Sequence, residues 1–500
     1  MTVSAGETVQ STGIPRWRFV FDQGCVSKTI INHSYDGSGT EEDPYQVSWM
    51  EADERDPMRF SHVSKWFITI LVGVLTLAVS LVSSAYSGSL NEVISDFQVS
   101  EEVAILGISL YVVGFAVGPL FWGPLSEIYG RRYIMIASSV GLTAFTAGTT
   151  GSKNIWTLVI LRFFAGTSGS APFAVSGGVI SDTFPTISRG LASGLYCAAP
   201  FLGPTLGPII GGFLSESAGW RWVEGMVAAF AGILAIVTFF TLPETYPPVL
   251  FRKRAQRLSA ISGRVYRSKL DIEQGKKSPA TVLKLALSRP WVLLFREPIV
   301  LLLSIYLSII YGILYLMFAA FPIVYEVERG WSEGVTGLSF LGILVEEVSI
   351  YTRPSCSRGT SSPSFWGAIA LPVGLFWFAW TNSPSIHWMA SIAAGVPFGF
   401  GMVMVFLPVL NYLIDAYTIY AASVLAANAA CNLGIHWASS IPAFLSLACV
   451  PMPFLFYRYG AAIRARCHYA AQSDAFMEKM FGHVVHSKKK VMDETSDNSD

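Results

Sequence analysis

The sequence predicts an all-α integral membrane protein with two groups of transmembrane helices. Hydrophobic residues make up 52% of the 500 residues and charged residues only 14%, whereas a soluble protein carries about 25% charged residues. Apolar runs of about 20 residues, the length that crosses about 30 Å of hydrocarbon, recur along the chain. A polar, basic stretch separates an early group of these runs from a late group.

Composition also limits the classes of function. The formal net charge is zero, which gives no reason to expect a nucleic-acid partner. The six cysteines are scattered without a CxxC pair, so neither a disulfide framework nor a metal site is predicted, and no cofactor is expected. The N-terminal sequence MTVSAGETVQSTG lacks the basic and apolar regions of a signal peptide. Residues 1–65 are polar and weakly patterned, which predicts a flexible cytoplasmic tail.

Six apolar runs predict a six-helix bundle over residues 66–242. They begin near Trp66, Val103, Tyr133, Ile155, Leu191 and Trp222. Residues 243–297 form the predicted central loop, and its many Lys and Arg residues place it in the cytoplasm by the positive-inside rule. The basic segment Arg252–Lys269 has two open interpretations, a solvated linker and an amphipathic segment lying on anionic lipid.

The late group predicts a second bundle over residues 298–458. Its long runs begin near Pro298, Phe365, His387 and Ala416. A shorter run, Gly334–Val345, is too short to cross the bilayer at about 1.5 Å per residue. The tail, residues 459–500, is basic like the central loop, so both tails are expected in the cytoplasm. The chain is expected to be a multi-pass protein of the plasma membrane.

The stretch WGPLSEIYGRR, residues 122–132, separates two apolar runs. Gly123 and Gly130 allow helix backbones to approach closely. Glu127 is placed to accept a bond from a helix N-terminus or a guanidinium group, and Arg131 and Arg132 follow it. Arginines in a cytoplasmic turn can serve topology alone, but topology does not require this spacing of glycine and carboxylate.

This spacing resembles the loop motif between helices two and three of major facilitator superfamily transporters. In that family the motif latches the two halves of the protein; here Glu127 replaces the usual Asp and Ile128 the usual Arg, which implies a weaker latch. Further segments resemble the fungal twelve-span drug:proton antiporters, namely Gly219–Trp222, Leu242–Tyr246, Gly312–Tyr315 and Tyr412–Tyr417. The resemblance covers about residues 60–460 and implies two pseudo-symmetric six-helix bundles with substrate between them.

A second motif lies in the fifth span and resembles the antiporter motif of drug:proton exchangers, which implies export. Its residues are Gly203, Pro204, Gly207, Pro208, Gly211 and Gly212. The alternative is close packing alone, since glycines in membrane helices commonly serve that purpose. Leu161–Gly166 resembles the fourth-span motif of the same exporters and contains Arg162.

Arg162 lies about seven residues into the fourth span, which places it roughly 10 Å below the surface. Facing lipid, its charge would cost a few kcal/mol, so it must face a hydrated cavity or a partner, unless it snorkels to the headgroups. The functional interpretation is a positive potential in the central cavity that lowers the proton affinity of a nearby acidic site or binds a polar group of the substrate.

An aromatic face is predicted on the seventh span. Tyr306, Tyr311 and Tyr315, together with Tyr412 of the tenth span, are candidates for a substrate cavity in which rings would stack on a planar or cationic compound. A packed or lipid-facing stripe is the alternative.

Two interruptions depart from the family pattern. The short eighth span runs into Glu346, Glu347, Arg353 and Arg358, and Ala426–Gly434 joins two segments that the family separates by a half-helix and a loop. Helices 8 and 11 are therefore predicted to be truncated, by mis-joined exons or by a real deletion.

The function expected from these features is secondary active efflux of small organic molecules by a monomeric proton antiporter. The motifs of a zinc protease, a phosphate-binding loop and a serine hydrolase are missing from the sequence, so an ion gradient must supply the energy. A membrane-bound enzyme, a transporter-like sensor and an inactive truncated transporter remain open alternatives.

Overall fold

The computed structural model describes residues 16–50, 53–274, 279–345 and 362–416. Three of the sequence expectations lie outside these ranges: the charged stretch 346–358, the junction at Ala426–Gly434 with the last apolar run, and the C-terminal tail. Within the described ranges, seven helical stretches are long and apolar enough to cross a membrane.

The first group of apolar runs forms helices at the positions that the sequence predicts. We number them α3 to α10, after the short helices α1 (Arg16–Phe21) and α2 (Lys28–Ile31). They are α3 (His62–Ala85), α4 (Leu90–Phe97), α5 (Glu101–Tyr129), α6 (Arg131–Thr150), α7 (Ile155–Gly169), α8 (Ala171–Thr183), α9 (Thr186–Ala218) and α10 (Trp220–Thr241). Gly130 and Gly219, with φ of 97° and 93°, make the abrupt turns from α5 to α6 and from α9 to α10, since glycine tolerates positive φ.

The second group is described as far as Ala416. After α11 (Pro247–Ser262), α12 (Lys269–Gln274) and α13 (Pro279–Arg296), the helices are α14 (Pro298–Phe321), α15 (Glu333–Gly337), α16 (Ser362–Thr381), α17 (Trp388–Ala393) and α18 (Gly395–Ala416). A π-helical turn, Pro322–Val327, extends α14. The apolar helix that starts with α15 is described as far as Val345.

The prediction of a flexible N-terminal tail is wrong for residues 16–60. Strand β1 (Tyr45–Val47) pairs in parallel with strand β2 (Tyr266–Ser268) of the central loop. The Arg254 guanidinium donates to both oxygens of Asp53, at 2.5 and 3.1 Å, and both side chains are buried. We call this unit of residues 16–60 and 247–268 the clasp.

Residues 247–268 of the central loop are accordingly folded, and the two interpretations of Arg252–Lys269 both miss the main contact of this segment, which is with the N-terminal segment. Helix α11 buries Val249, Leu250 and Leu258, and the side chains of Ala255 and Leu258 pack with Ile30 and Val47 of the N-terminal segment. The apolar residues of that segment are too irregularly spaced to form an amphipathic element by themselves. They become a core only when α11 covers them.

The two halves meet along a shared apolar core rich in aromatic residues. The rings of Phe201 on α9, Tyr311 on α14 and Phe406 on α18 lie 4.9 to 5.7 Å apart between centroids. We call the end of the bundle that carries Arg131, Arg132 and the clasp the basic face. The opposite end, which carries Glu92, Asp96 and Glu333, is the acidic face.

Candidate functional site

A buried ion pair joins α7 to α10 inside the first bundle. The side chain of Arg162 is 1% exposed, and its Nη1 lies 2.5 Å from Oε1 of Glu224, which is also 1% exposed. The other oxygen of Glu224 accepts a bond of 2.8 Å from the Thr149 hydroxyl. Snorkelling of Arg162 to the headgroups is thereby excluded, and the partner that its depth requires is Glu224.

The remaining donors of Arg162 bind backbone carbonyl groups. Nε donates to Gly107 at 2.9 Å, and Nη2 donates to Val82 at 3.1 Å and Ser83 at 3.2 Å. The guanidinium also lies over the rings of Tyr86 and Tyr111, at 4.3 and 5.2 Å from their centroids. Arg162 thus holds α3, α5, α7 and α10 together. Its planar fork is what allows so many partners at once.

Sequence reasoning missed Glu224, although a signal was present. Glu224 is a lone carboxylate in the apolar run that begins at Trp222, and an ionisable residue at that depth needs a named partner. Spacing along one helix does not show which neighbouring helix supplies that partner.

The pair is connected to the second half through one serine. The carbonyl of Ser83 accepts from Arg162, and the Ser83 hydroxyl is hydrogen-bonded to the Tyr315 hydroxyl at 2.9 Å. One turn away, Tyr311 donates to the carbonyl of Pro200 at 3.1 Å.

The predicted tyrosine face therefore meets the other half of the protein rather than lipid. Tyr306 and Tyr311 are buried in the core shared by the halves, and Tyr315 and Tyr412 pack against that core.

The loop motif caps a helix N-terminus, with a carboxylate that the sequence did not single out. Oε1 of Glu244 accepts from the backbone N–H of Arg131 at 2.9 Å and Oε2 accepts from that of Arg132 at 3.2 Å, where the helix dipole favours a negative charge. The close approach of Glu244 to Gly130 leaves no room for a Cβ there. Glu127, which we expected in this role, is half-buried and lies close enough for its charge to act on Arg131.

Arg131 extends the same cluster to α8. Its Nε donates to Asp182 at 3.3 Å and its Nη1 donates to the Ser126 hydroxyl at 2.7 Å. Ser126 in turn donates to the carbonyl of Gly123 at 2.7 Å. Arg132 donates to the carbonyl of Phe239 on α10 at 2.8 Å. The motif therefore joins four helices of the first half at the basic face.

The clasp reaches this cluster through Arg55. Its Nη2 donates to the backbone carbonyl of Glu244 at 3.0 Å, and its guanidinium lies between the rings of Phe19 and Phe60, at 5.7 and 5.9 Å. Burial lowers the pKa of Arg55 to about 10, which leaves it charged at neutral pH. Burial also raises the pKa of the Glu244 carboxyl, against the lowering effect of its backbone N–H donors.

The glycines of the fifth-span motif mark two close helix contacts. Gly203, Gly207 and Gly211 are four residues apart and so share one face of α9. A Cβ built on Gly203 would lie 2.8 Å from the carbonyl oxygen of Leu77, and one on Gly207 would lie 2.8 Å from the amide nitrogen of Ala85. Gly211 faces the Ala85 carbonyl in the same way. This face packs against α3.

Gly212 points instead to the second half. A Cβ there would lie 2.7 Å from the carbonyl oxygen of Glu333, the first residue of α15. The carbonyl of Pro208 similarly faces Gly337, where a Cβ would lie 2.6 Å away. Pro204 and Pro208 are both buried within α9.

Comparison with known proteins gives a consistent assignment. A family model described as Major Facilitator Superfamily matches residues 72–458. The chain is 56% identical to the MFS-type efflux pump MFS2 of Trichophyton rubrum, over 95% of this chain and 86% of that protein. It is 53% identical to the multidrug transporter mdrA of Aspergillus fumigatus, over 97% of this chain and 85% of that protein.

The matched region is longer in the relative than in this chain. The alignment with the Trichophyton protein runs over 509 positions but takes in only 95% of the 500 residues. The relative therefore has residues inside the matched region that this chain lacks.

Among solved structures, the proton:xylose symporter XylE bound to 6-bromo-6-deoxy-D-glucose superimposes with a TM-score of 0.58. The match covers 84% of this chain and 96% of that chain, at 17% identity, which establishes the fold alone. The family model and the two relatives carry the assignment further: the chain belongs to the major facilitator superfamily and is a membrane transporter, not an enzyme.

Proposed function

We propose that the protein is an efflux pump that exports small organic molecules in exchange for protons. The observation that carries this proposal is the Arg162–Glu224 pair, a buried ion pair that is connected through Ser83 and Tyr315 to the interface of the two halves. Its relatives in Trichophyton and Aspergillus bear the names efflux pump and multidrug transporter, which supports the direction of transport.

In this proposal Glu224 takes up the transported proton. Protonation removes the negative charge that balances Arg162, and a buried guanidinium without its counter-ion is unfavourable. Arg162 is then held by backbone carbonyl groups, including those of Val82 and Ser83. A shift of Ser83 is transmitted to the second half through its hydrogen bond with Tyr315. Loss of the proton restores the ion pair. Charge balance inside the first bundle is thus coupled to the contact between the halves.

We place the basic face in the cytoplasm, because basic residues are retained on that side, and the acidic face outside the plasma membrane. Substrates would lie between the halves against Tyr311, Tyr315 and Phe406, whose rings suit amphipathic compounds with a planar or cationic part. One chain contains both halves, so we propose a monomer.

Transport in sealed vesicles tests the proposed function. The full-length chain is reconstituted into liposomes, an inwardly or outwardly directed proton gradient is imposed, and a panel of lipophilic cations and uncharged metabolites is screened. We expect at least one compound to move in the direction opposite to the flow of protons, and this movement to stop when an ionophore collapses the proton gradient. Equal movement with and without the gradient would exclude proton antiport, and no movement of any compound would favour an inactive chain.

Replacement of the latch residues is expected to slow transport without preventing membrane insertion. Glu127→Ala and Arg131→Ala each remove one charge of the cluster, and Glu244→Gln removes the charge that caps α6. Loss of a helix cap costs about 1 kcal/mol, so we expect a several-fold lower efflux rate at equal surface level.

The matched control is Arg252→Ala, a half-buried arginine that pairs with Asp271 at 3.2 Å, which should transport normally. If Arg131→Ala and Glu127→Ala both matched the parent protein, these residues would be topology signals only.

A further inference from the structure

Four carboxylates line the place where the two halves touch at the acidic face. Glu92 on α4 and Glu216 on α9 belong to the first half, while Glu326, at the end of the π-helical turn, and Glu333, at the start of α15, belong to the second. We call this set the acidic seam. Its carboxylates come from four separate elements, so the fold and not a local sequence run brings them together.

Two of the contacts that cross the seam are made by these carboxylates. The amide of Asn91 donates to Oε2 of Glu326 at 3.1 Å, and Oε1 of Glu216 accepts from the backbone N–H of Gly334 at 2.8 Å. The backbone carbonyl of Glu333 faces Gly212 of the fifth-span motif. When the halves are closed at this face, the half-buried Glu333 therefore lies near the other carboxylates.

The two arginines near the seam, Arg221 and Arg329, bind groups outside the four carboxylates. Arg221 pairs with Asp96 at 2.7 Å, and Arg329 donates to the carbonyl of Ser383 at 2.7 Å. The groups that act on Glu333 from the surrounding elements are the carboxylates of Glu326 and Glu92, the amide of Asn91 and the hydroxyl of Ser215.

Glu333 thus has an environment that disfavours its charge. Burial first, and then the charges of Glu326 and Glu92, raise the pKa of Glu333 to about 7. Like charges and desolvation act in the same direction on a carboxyl group. Glu216 adds to the negative charge by acting on Glu326.

We propose that the acidic seam is a proton-operated gate, in which Glu333 carries a proton while the halves are closed at this face and loses it when they part. This inference goes beyond the transport cycle proposed above and holds whatever ion drives that cycle. Gly212 links the gate to the fifth-span motif, because it touches the backbone of Glu333 and directly follows Gly211, which packs on α3.

The direction of the pH effect follows from linkage. When the halves part, Glu333 becomes solvated and its pKa returns toward the ordinary value of about 4.3. Closing then takes up a proton between that value and about pH 7. As pH rises through this window the open form gains, because Glu333 loses its proton there more readily than in the closed seam. Above about pH 7 Glu333 is charged in both forms, and the effect stays constant. Below the window Glu333 is protonated in both forms and no longer affects closing.

A buried serine in the seam provides a reporter of opening. Ser215 is 1% exposed and precedes Glu216, so Ser215→Cys places a thiol that reacts only when the seam opens. The substitution also removes the Ser215 hydroxyl that acts on Glu333, and both proteins that are compared carry it. The full-length protein in detergent is labelled with a maleimide at several pH values, and labelling of the parent chain is subtracted. The reporter is then compared with and without Glu333→Gln, which imitates the protonated carboxyl, and the ratio of rates cancels the titration of the thiol.

We expect the two rates to converge near pH 4, below the ordinary pKa of about 4.3, and the Glu333→Gln protein to label several-fold more slowly near pH 8. Asp96→Asn is the control, since its pair with Arg221 lies on the same face and is about half exposed; it should leave the ratio near one at every pH. A ratio that does not change with pH, or an equal change in the control, would refute the gate. If the ratio changes while liposomes show no proton antiport, the gate stands and the proposed function fails.

Discussion

Arg162→Ala is expected to reduce efflux by roughly tenfold or more, because it leaves Glu224 buried without its counter-ion. Removal of one partner of a buried ion pair costs about 3–5 kcal/mol. Arg162→Lys keeps the charge but loses the planar fork that reaches Glu224 and the carbonyls of Val82 and Ser83 together. We therefore expect an intermediate efflux rate. Proton-driven efflux by matched amounts of reconstituted protein measures both.

A second arginine offers a matched control for this experiment. Arg221 also pairs with a carboxylate and lies at the start of α10, but its side chain is 45% exposed. An exposed pair contributes about 0–1 kcal/mol, so Arg221→Ala should transport almost normally. Full efflux by Arg162→Ala would remove the buried pair from the mechanism, and an equal loss in both variants would point to a general weakening of the fold.

Gly211→Leu is expected to abolish coupled export, since the added side chain meets the backbone of α3 rather than a movable side chain. The Ala85 carbonyl occupies the place of its Cβ, and overpacking typically costs about 1–3 kcal/mol even where side chains can move aside. Separation of α9 from α3 also disturbs Val82 and Ser83, the partners of Arg162. We expect either no export or a leak that no longer depends on the proton gradient.

The same helix supplies the control for the glycine substitution. A Cβ on Gly194 would meet no atom within 4 Å, so Gly194→Leu on α9 adds the same side chain without the clash. Its efflux should be close to that of the parent protein. Wild-type export by Gly211→Leu would show that the fifth-span motif contributes no mechanism in this chain.

The helices of the first half were predictable because one local property of the sequence, a long apolar run, identifies a membrane span. The run beginning near Ile155 became α7 and α8, and the run near Trp222 became α10. Residues 16–60 were misjudged for the converse reason. Their buried side chains have no regular spacing, and the surface that buries them is supplied by α11, about two hundred residues later in the chain.

The sequence predicts those site residues whose own position requires a partner, but it does not predict which residues the partners are. The depth of Arg162 requires a counter-ion, yet nothing in the spacing of α7 points to Glu224 on α10. Likewise the motif around Arg131 predicts a carboxylate at the start of α6. The structure gives that place to Glu244, because the chain returns to the basic face after the sixth span, which the local pattern does not encode.

The clasp has a consequence for the order in which this protein is made. Asp53 and Arg254 are separated by 201 positions, and strand β1 pairs with residues that lie later still. The ribosome must therefore deliver all six spans of the first half before the N-terminal segment can find its partner, and contacts so distant in sequence form late. Until then residues 16–60 are open to chaperones and proteases, so burial of the Asp53–Arg254 pair marks the moment at which the first half is complete.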